Sequence, residues 1–457
     1  MIKFLKKAAT RLFLLALLFM FSANVGTLFA QSQADLSQVN PGYNKYTKEL
    51  KYGQYVKEKD NIVEQIGNLP AVPLEVTKKA IEKTLIYIEK THLDDKVVYA
   101  WDKIHEWGFH PTGQQLHDRP LFGYNILWDR TKLIEASPYV EHAGFTAWSG
   151  WNQWGYYEDA GRFNLDNVLN TKIYATQLFK YETRSRENFF GVGHNTSRGN
   201  SFTYRLQAMN YETRIGRWFD VPFNLGRLNI EGEYRFRDTR VAGGRNGANA
   251  NILNTFKDNS ALAGVLGGEY NTIGVNLMHD TRDDIEDPHR GGYRKFSFLY
   301  NSGVNGAPFD FLKYRFELAQ FFPVFKTGNV FGIRFAGENN DQNGKGGKVP
   351  FFEMARLGNF NTLRGFEYNR FFDKNALWLS LEYRYNIWTF KQYKVDLVPT
   401  CDMGSVYGEG GDFEFSNTRF SYGGAARFKI RDRVNINFEI SHSNEGTEYY
   451  LKYKAPF

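Results

Sequence analysis

A single cysteine, Cys401, in 457 residues rules out an intrachain disulfide and a thiolate metal site. Proline is scarce at 13 residues. Beyond the first thirty residues no apolar run approaches the roughly twenty residues that a membrane helix needs. An excess of one charge is missing too. Four cations and no anions lie in residues 1–30, so beyond them 53 basic side chains meet 50 acidic ones and the formal charge drops from +7 to +3. With no Lys/Arg stripe interleaved with aromatics, nucleic acid is excluded as a partner. What the chain has in quantity is aromatic side chains, 17%, and 43 glycines, at a mean hydropathy of −0.51. That average excludes a bundle of membrane helices.

Residues 1–30 follow a logic of their own. Lys3, Lys6, Lys7 and Arg11 form a basic head, and the apolar stretch "LFLLALLFMF" behind it is too short to span a bilayer. These features describe a cleaved secretory signal. "TLFA" offers Ala30 as the cleavage residue, although Leu28 is larger than the small residue usual two positions earlier. No cysteine near residue 30 is available for lipidation. From 31 to 118 the chain is charged and turn-rich, and the spacing of apolar residues from Leu74 to Leu93, after Pro70 and Pro73, predicts a helix.

After about residue 120 the period changes from helical to strict alternation. In "NALWLSLEYRYNIW" Leu377, Leu379, Leu381, Tyr383, Tyr385 and Ile387 share one face, while Trp378, Ser380, Glu382, Arg384 and Asn386 share the other. "RLNIEGEYRFR" (227–237) and "RVNINFEISH" (433–442) divide in the same way: Val434, Ile436, Phe438 and Ile440 oppose Asn435, Asn437, Glu439 and Ser441. Strands of a soluble sandwich usually run about five or six residues. Runs of about ten, with an uncharged face opposite one dense in Arg, Glu and Asn, fit a transmembrane antiparallel β-barrel, which must close because lipid cannot satisfy an open edge. Twelve strands are expected near 172–184, 201–214, 223–238, 269–281, 291–303, 309–323, 328–339, 375–388, 393–408, 419–430, 433–443 and 447–457, with short and long connections alternating. Residues 121–170 leave room for two to four more. The expectation is an all-β barrel of about sixteen strands over 119–457, preceded by a short helical periplasmic extension over 31–118. In the last strand Tyr449, Leu451, Tyr453, Ala455 and Phe457 share a face, and the chain ends on an aromatic, which is similar to the C-terminal signal of outer-membrane barrels.

"LRGF" (363–366), in a long loop before the strand at 375, resembles the Arg-Gly-Phe motif of the outer-membrane protein 85 superfamily, the BamA and TamA type barrels. "DTRDDIEDPHRGGY" (280–293) resembles that family's Asp-x-Arg-Asp turn, carried here by Asp280, Arg282, Asp283, Pro288 and Gly291. "ENFFGVG" (187–193) resembles a loop of its smaller members. The resemblance covers roughly residues 120–457. It implies that the loop folds back into the barrel and that Arg364 pairs with acidic residues on the inner wall. Glu382 and Asp402 are on hand for that, the second on the same strand face as Asp396 and Thr400 while Cys401 points to lipid. A planar guanidinium suits the task because it binds carboxylates bidentately. Gly365 is expected to let the tip turn closely, and Phe366 to pack on the wall.

The resemblance further implies an outer-membrane location and a role in inserting, assembling or exporting proteins or lipids, through a weak seam between first and last strands where a client strand pairs. Partners would be outer-membrane lipid, client proteins and assembly-machinery subunits. The second reading is a passive channel or structural surface antigen of the same fold. The large members' POTRA modules have no convincing counterpart in 31–118. No cofactor or metal is implied, and no catalytic residue is assigned. His279 and Asp280 with Asp283 and Asp284 fall on the periplasmic side, away from where barrel proteases keep such pairs. His105, His110 and His194 lack ligand spacing. "GVGHNTSRG" (191–199) opens no helix and has no phosphate-loop lysine, so it is expected to be a flexible loop.

Overall fold

A computed structural model describes residues 109–112, 124–130, 142–151 and 155–452, except 245–249, 257–261, 325–327, 345, 391–392, 409–412 and 431–432. The expected leader, the helix at 74–93, and Tyr453, Ala455 and Phe457 lie outside these residues.

Among the described residues, sixteen strands form an antiparallel meander. They are β1 (Phe109–Thr112), β2 (Tyr124–Arg130), β3 (His142–Trp151), β4 (Tyr157–Val168), β5 (Ile173–Phe189), β6 (Phe202–Asp220), β7 (Arg227–Gly243) and β8 (Gly267–Asp280). The rest are β9 (Gly291–Val304), β10 (Phe311–Val324), β11 (Asn329–Gln342), β12 (Asn375–Phe390), β13 (Tyr393–Tyr407), β14 (Arg419–Ile430), β15 (Arg433–Ser443) and β16 (Gly446–Lys452). Each pairs with its neighbour in the chain. Among the described residues the meander's first strand starts at Phe109, within the segment that the sequence assigns to the extension. β5, β6 and β7 run 17, 19 and 17 residues, beyond the lengths read from alternation. The added residues of β5 include the buried, loop-facing Glu187 and Phe189.

Alternation sorts the two faces. Outward lie Ile273, Val275, Phe296, Phe298, Ile436 and Phe438, all exposed. An apolar band of this extent on the outward face is the surface that hydrocarbon covers. Inward lie Ser, Asn, Glu and Arg. Connections at one rim are short, at 169–172, 221–226, 325–328, 391–392 and 431–432, and those at the other are mostly long. Departures from this pattern include the 281–290 turn, long for its rim, and the two-residue turn 444–445, short for the other.

Two long loops, 244–266 and 343–374, turn inward. Together they build an apolar cluster in which Phe189, Tyr204, Ile252, Tyr270, Phe351 and Phe372 are fully buried. Phe351 meets Phe189 and Tyr204 edge-on at 5.6 and 5.1 Å, a geometry worth about 0.5–1.5 kcal/mol beyond area burial. The long-loop rim is therefore packed across by side chains.

Candidate functional site

The 343–374 loop is closed at its base by a short antiparallel pairing of Ala355–Leu357 with Phe371–Asp373. Asn369 N–H donates to the Gly358 carbonyl at 2.7 Å, and Phe366 N–H to Leu363 at 3.2 Å, so the tip is a set of tight turns. The wall opposite is cut back to receive it. Ser380, Asp402, Ser421 and Ser443 lie side by side on β12 to β15, in register. Small side chains there leave depth for the tip.

Arg364 fills that depth. Its Nε and Nη2 donate to the two oxygens of Asp402 at 2.8 and 2.6 Å, and its own backbone N–H adds a third bond to Oδ2 at 3.1 Å. Nη1 stands 3.2 Å from Glu439 Oε1. Arg364 and Asp402 are each 1% exposed and Glu439 is 0%, so this is a dry triad. Burial alone would lower the pKa of the guanidinium, but Asp402 and Glu439 reverse that and raise it above its ordinary value. Gly365 does not adopt a left-handed φ. A Cβ there would instead sit 2.6 Å from the His442 carbonyl oxygen and 2.7 Å from Ser421 Cβ, so glycine is required by close approach to β14 and β15, not by a tight turn. Phe366 is fully buried with Leu357, Leu363, Phe371 and Val406, its ring edge-on to Phe371 at 5.2 Å.

Glu382, expected as a partner of Arg364, lies further along the wall and takes other cations. Arg427 donates to it at 2.7 and 3.2 Å, and Arg384 at 2.6 Å. The carboxylate that stands beside Arg364 with Asp402 is Glu439, on the polar face of β15. Alternation had placed it there, but only the depth of the loop tip distinguishes it from Glu382.

Three further contacts fix the loop. Arg370, 1% exposed, binds both oxygens of Glu445 at 2.7 and 2.8 Å, donates to Thr196, and lies between the rings of Phe190 and Phe371. The Tyr450 hydroxyl donates to the Arg364 carbonyl at 2.8 Å. Glu353 accepts from Lys313 at 2.8 Å and from the Tyr270 hydroxyl at 2.5 Å. Burial pushes the Glu353 pKa up, yet Lys313, Arg237 and Arg235 hold it well below the ordinary carboxylate value. Residues 191–199, expected to be flexible, are tied to the same assembly. Gly193 N–H donates to Phe372, and Arg198 to Glu367 and the Glu445 carbonyl. In "ENFFGVG", Glu187 to Phe189 belong to β5, and Glu187 accepts from Asn369 of the loop at 3.1 Å.

At the other rim, Asp280 accepts from Arg282 N–H, Nε and Nη2 at 3.1, 3.0 and 2.7 Å. Asp283 Oδ1 accepts three backbone N–H groups of the same turn, and the Pro288 carbonyl accepts from Arg384. Gly291 has φ +81°, and a Cβ on it would stand 2.0 Å from the Thr281 carbonyl oxygen, so a glycine is needed. On β16, Tyr449 and Leu451 point outward and are exposed, while Tyr450 is buried inside.

An antiparallel barrel with a lipid-facing wall and an inward loop pinned by a buried arginine defines a transmembrane β-barrel with an internal plug. The Omp85 superfamily domain matches residues 157–430, and the chain belongs to that superfamily, whose barrels are outer-membrane proteins. Among solved structures it is similar to BamA from Haemophilus ducreyi lacking POTRA domains 1–3, at 12% identity and a TM-score of 0.53 over 75% of this chain and 68% of that one. It is also similar to CdiB from Escherichia coli, at 10% identity and 0.49 over 72% and 58%, and to CdiB from Acinetobacter baumannii, at 10% and 0.44 over 73% and 57%. Comparison with curated protein sequences gives no match.

Proposed function

We propose that this barrel acts in the insertion, assembly or export of proteins or lipids at the outer membrane, without a catalytic step, and that Arg364, Gly365 and Phe366 with Asp402 form a latch. The observation that carries this reading is the loop's buried polar grip on the C-terminal strands. From inside it holds β13 through Asp402, β15 through Glu439 and the β16 end through Tyr450 and Glu445. A C-terminal strand anchored from within suits a seam at which a client strand pairs by edge addition. The segment that precedes β1 would lie in the periplasm, and the partners would be client proteins, assembly subunits and lipid.

The test uses the purified full chain in liposomes and follows the folding rate of an unfolded outer-membrane barrel substrate. Acceleration over empty liposomes is expected. No acceleration, together with steady passage of small solutes, would replace this reading with the passive channel.

A further inference from the structure

The 281–290 turn reaches into the lumen. Asp287, 2% exposed, binds Arg384 of β12 at 3.2 Å through Oδ1 and Lys429 of β14 at 2.6 Å through Oδ2. The Pro288 carbonyl takes a further bond from Arg384 at 2.8 Å. β9, at the end of this turn, is separated from β12 in the ladder by β10 and β11, so the contact crosses the interior and does not run along one hairpin. The turn is preformed for it. Asp283 Oδ1 accepts from the N–H groups of Asp284, His289 and Arg290, and Asp284 Oδ1 from those of Glu286 and Asp287, which projects the Asp287 carboxylate from a fixed frame.

How the turn is held differs from how the 343–374 loop is held. No apolar cluster buries it, and its one large apolar residue, Ile285, is 52% exposed. Both cations that grip it keep a carboxylate on the wall. Arg384 stands 2.6 Å from Glu382, and Lys429 2.5 Å from Asp396. Withdrawing the turn therefore leaves neither cation buried and unpaired, the condition that makes breaking an internal ion pair costly. We propose that the Thr281–Arg290 turn is a reversible plug at the short-turn rim, docked by Asp287 and free to leave without unfolding the barrel. Arg384 and Glu382 connect its socket to Arg427 on β14.

A nitroxide at position 285 reads the docking directly, in full-length protein carrying Cys401→Ser and Ile285→Cys, folded in lipid nanodiscs. The expected spectrum has a small mobile component. Asp287→Asn should enlarge it roughly tenfold, as weakening of its two charge-assisted contacts shifts a two-state element. Lys429→Gln, which leaves the turn's own sequence intact, should act in the same direction. In both variants the unheated protein should keep the electrophoretic migration of the folded barrel. Equal mobility in all three proteins, whether high or low, would overturn the proposal. So would loss of the folded band in either variant, because a turn whose release unfolds the barrel is a brace and not a plug.

Discussion

Two stretches of inner wall, built on the same alternation, have opposite characters. Along β12 to β15, Arg364, Asp402, Glu382 and Arg427 are at most 1% exposed. Along β9 to β11, a luminal cavity of about 230 Å³ lies beside Lys295, Arg315 and Glu317, whose side chains are 44%, 46% and 31% exposed. Arg315 and Glu338 pair at 2.7 Å across neighbouring strands, and Lys295 and Glu317 at 3.9 Å. The difference comes from what stands over each wall. A row of serines admits the loop tip and excludes water on one side, while long side chains facing open lumen keep their hydration on the other. Charge density on a strand face therefore says little about energetics until its cover is known.

The contrast can be broken where it is strongest. Arg364→Ala leaves Asp402 and Glu439 buried without their cation, and should destabilise the barrel by about 3–5 kcal/mol, measured as a lowered urea midpoint in micelles. Charge reversal sharpens the assignment: Arg364→Glu should not be rescued by Glu382→Arg, because position 382 faces Arg384 and Arg427. Recovery in that double variant would place Glu382 beside Arg364 after all. Gly365→Ala forces a methyl against the His442 carbonyl, and should cost about 1–3 kcal/mol by overpacking in the same assay.

Glu353 gives a pH-dependent test. Its folded pKa is depressed, so its contribution is present above the ordinary value of 4.5 and is lost as pH falls toward the folded value. Wild type should exceed Glu353→Gln in stability at neutral pH, and the gap should close on acidification below about 4.5. A gap independent of pH would remove the carboxylate from the account. The smallest effect belongs to the wet wall, where Lys295→Ala should change stability by less than about 0.5 kcal/mol.

How far the sequence reached follows from which interactions are local. Alternation needs only neighbouring residues, so the strands from 172 onward were legible to within a few positions, and the inward or outward sense of Glu382, Asp402 and Glu439 with them. Strand lengths were underestimated at both rims, where β5 and β7 run on toward the long loops and β6 toward a short turn, and where Arg186, Arg217 and Arg240 interrupt the apolar face. Which carboxylate meets Arg364 depends on how deep the loop tip descends, a property of Gly365 against β15 that no local period encodes. Arg370 and Glu445, or Asp287 and Lys429, lie far apart in the chain. Neither pair follows a spacing rule. The turn at 280–293 was legible as a motif, but its entry into the lumen was not.

The two-residue turn at Asn444 and Glu445 bears on how this protein is handled at the bench. A hairpin tip at a barrel rim is the usual place for an epitope or a fluorophore, yet here Glu445 is gripped by Arg370 and its carbonyl by Arg198. An insertion at 444–445 would pry out the C-terminal strand's anchor. The tip of the 305–310 connection at Gly306, which has open space around it, offers a safer graft, provided Phe309 beyond it stays in the core.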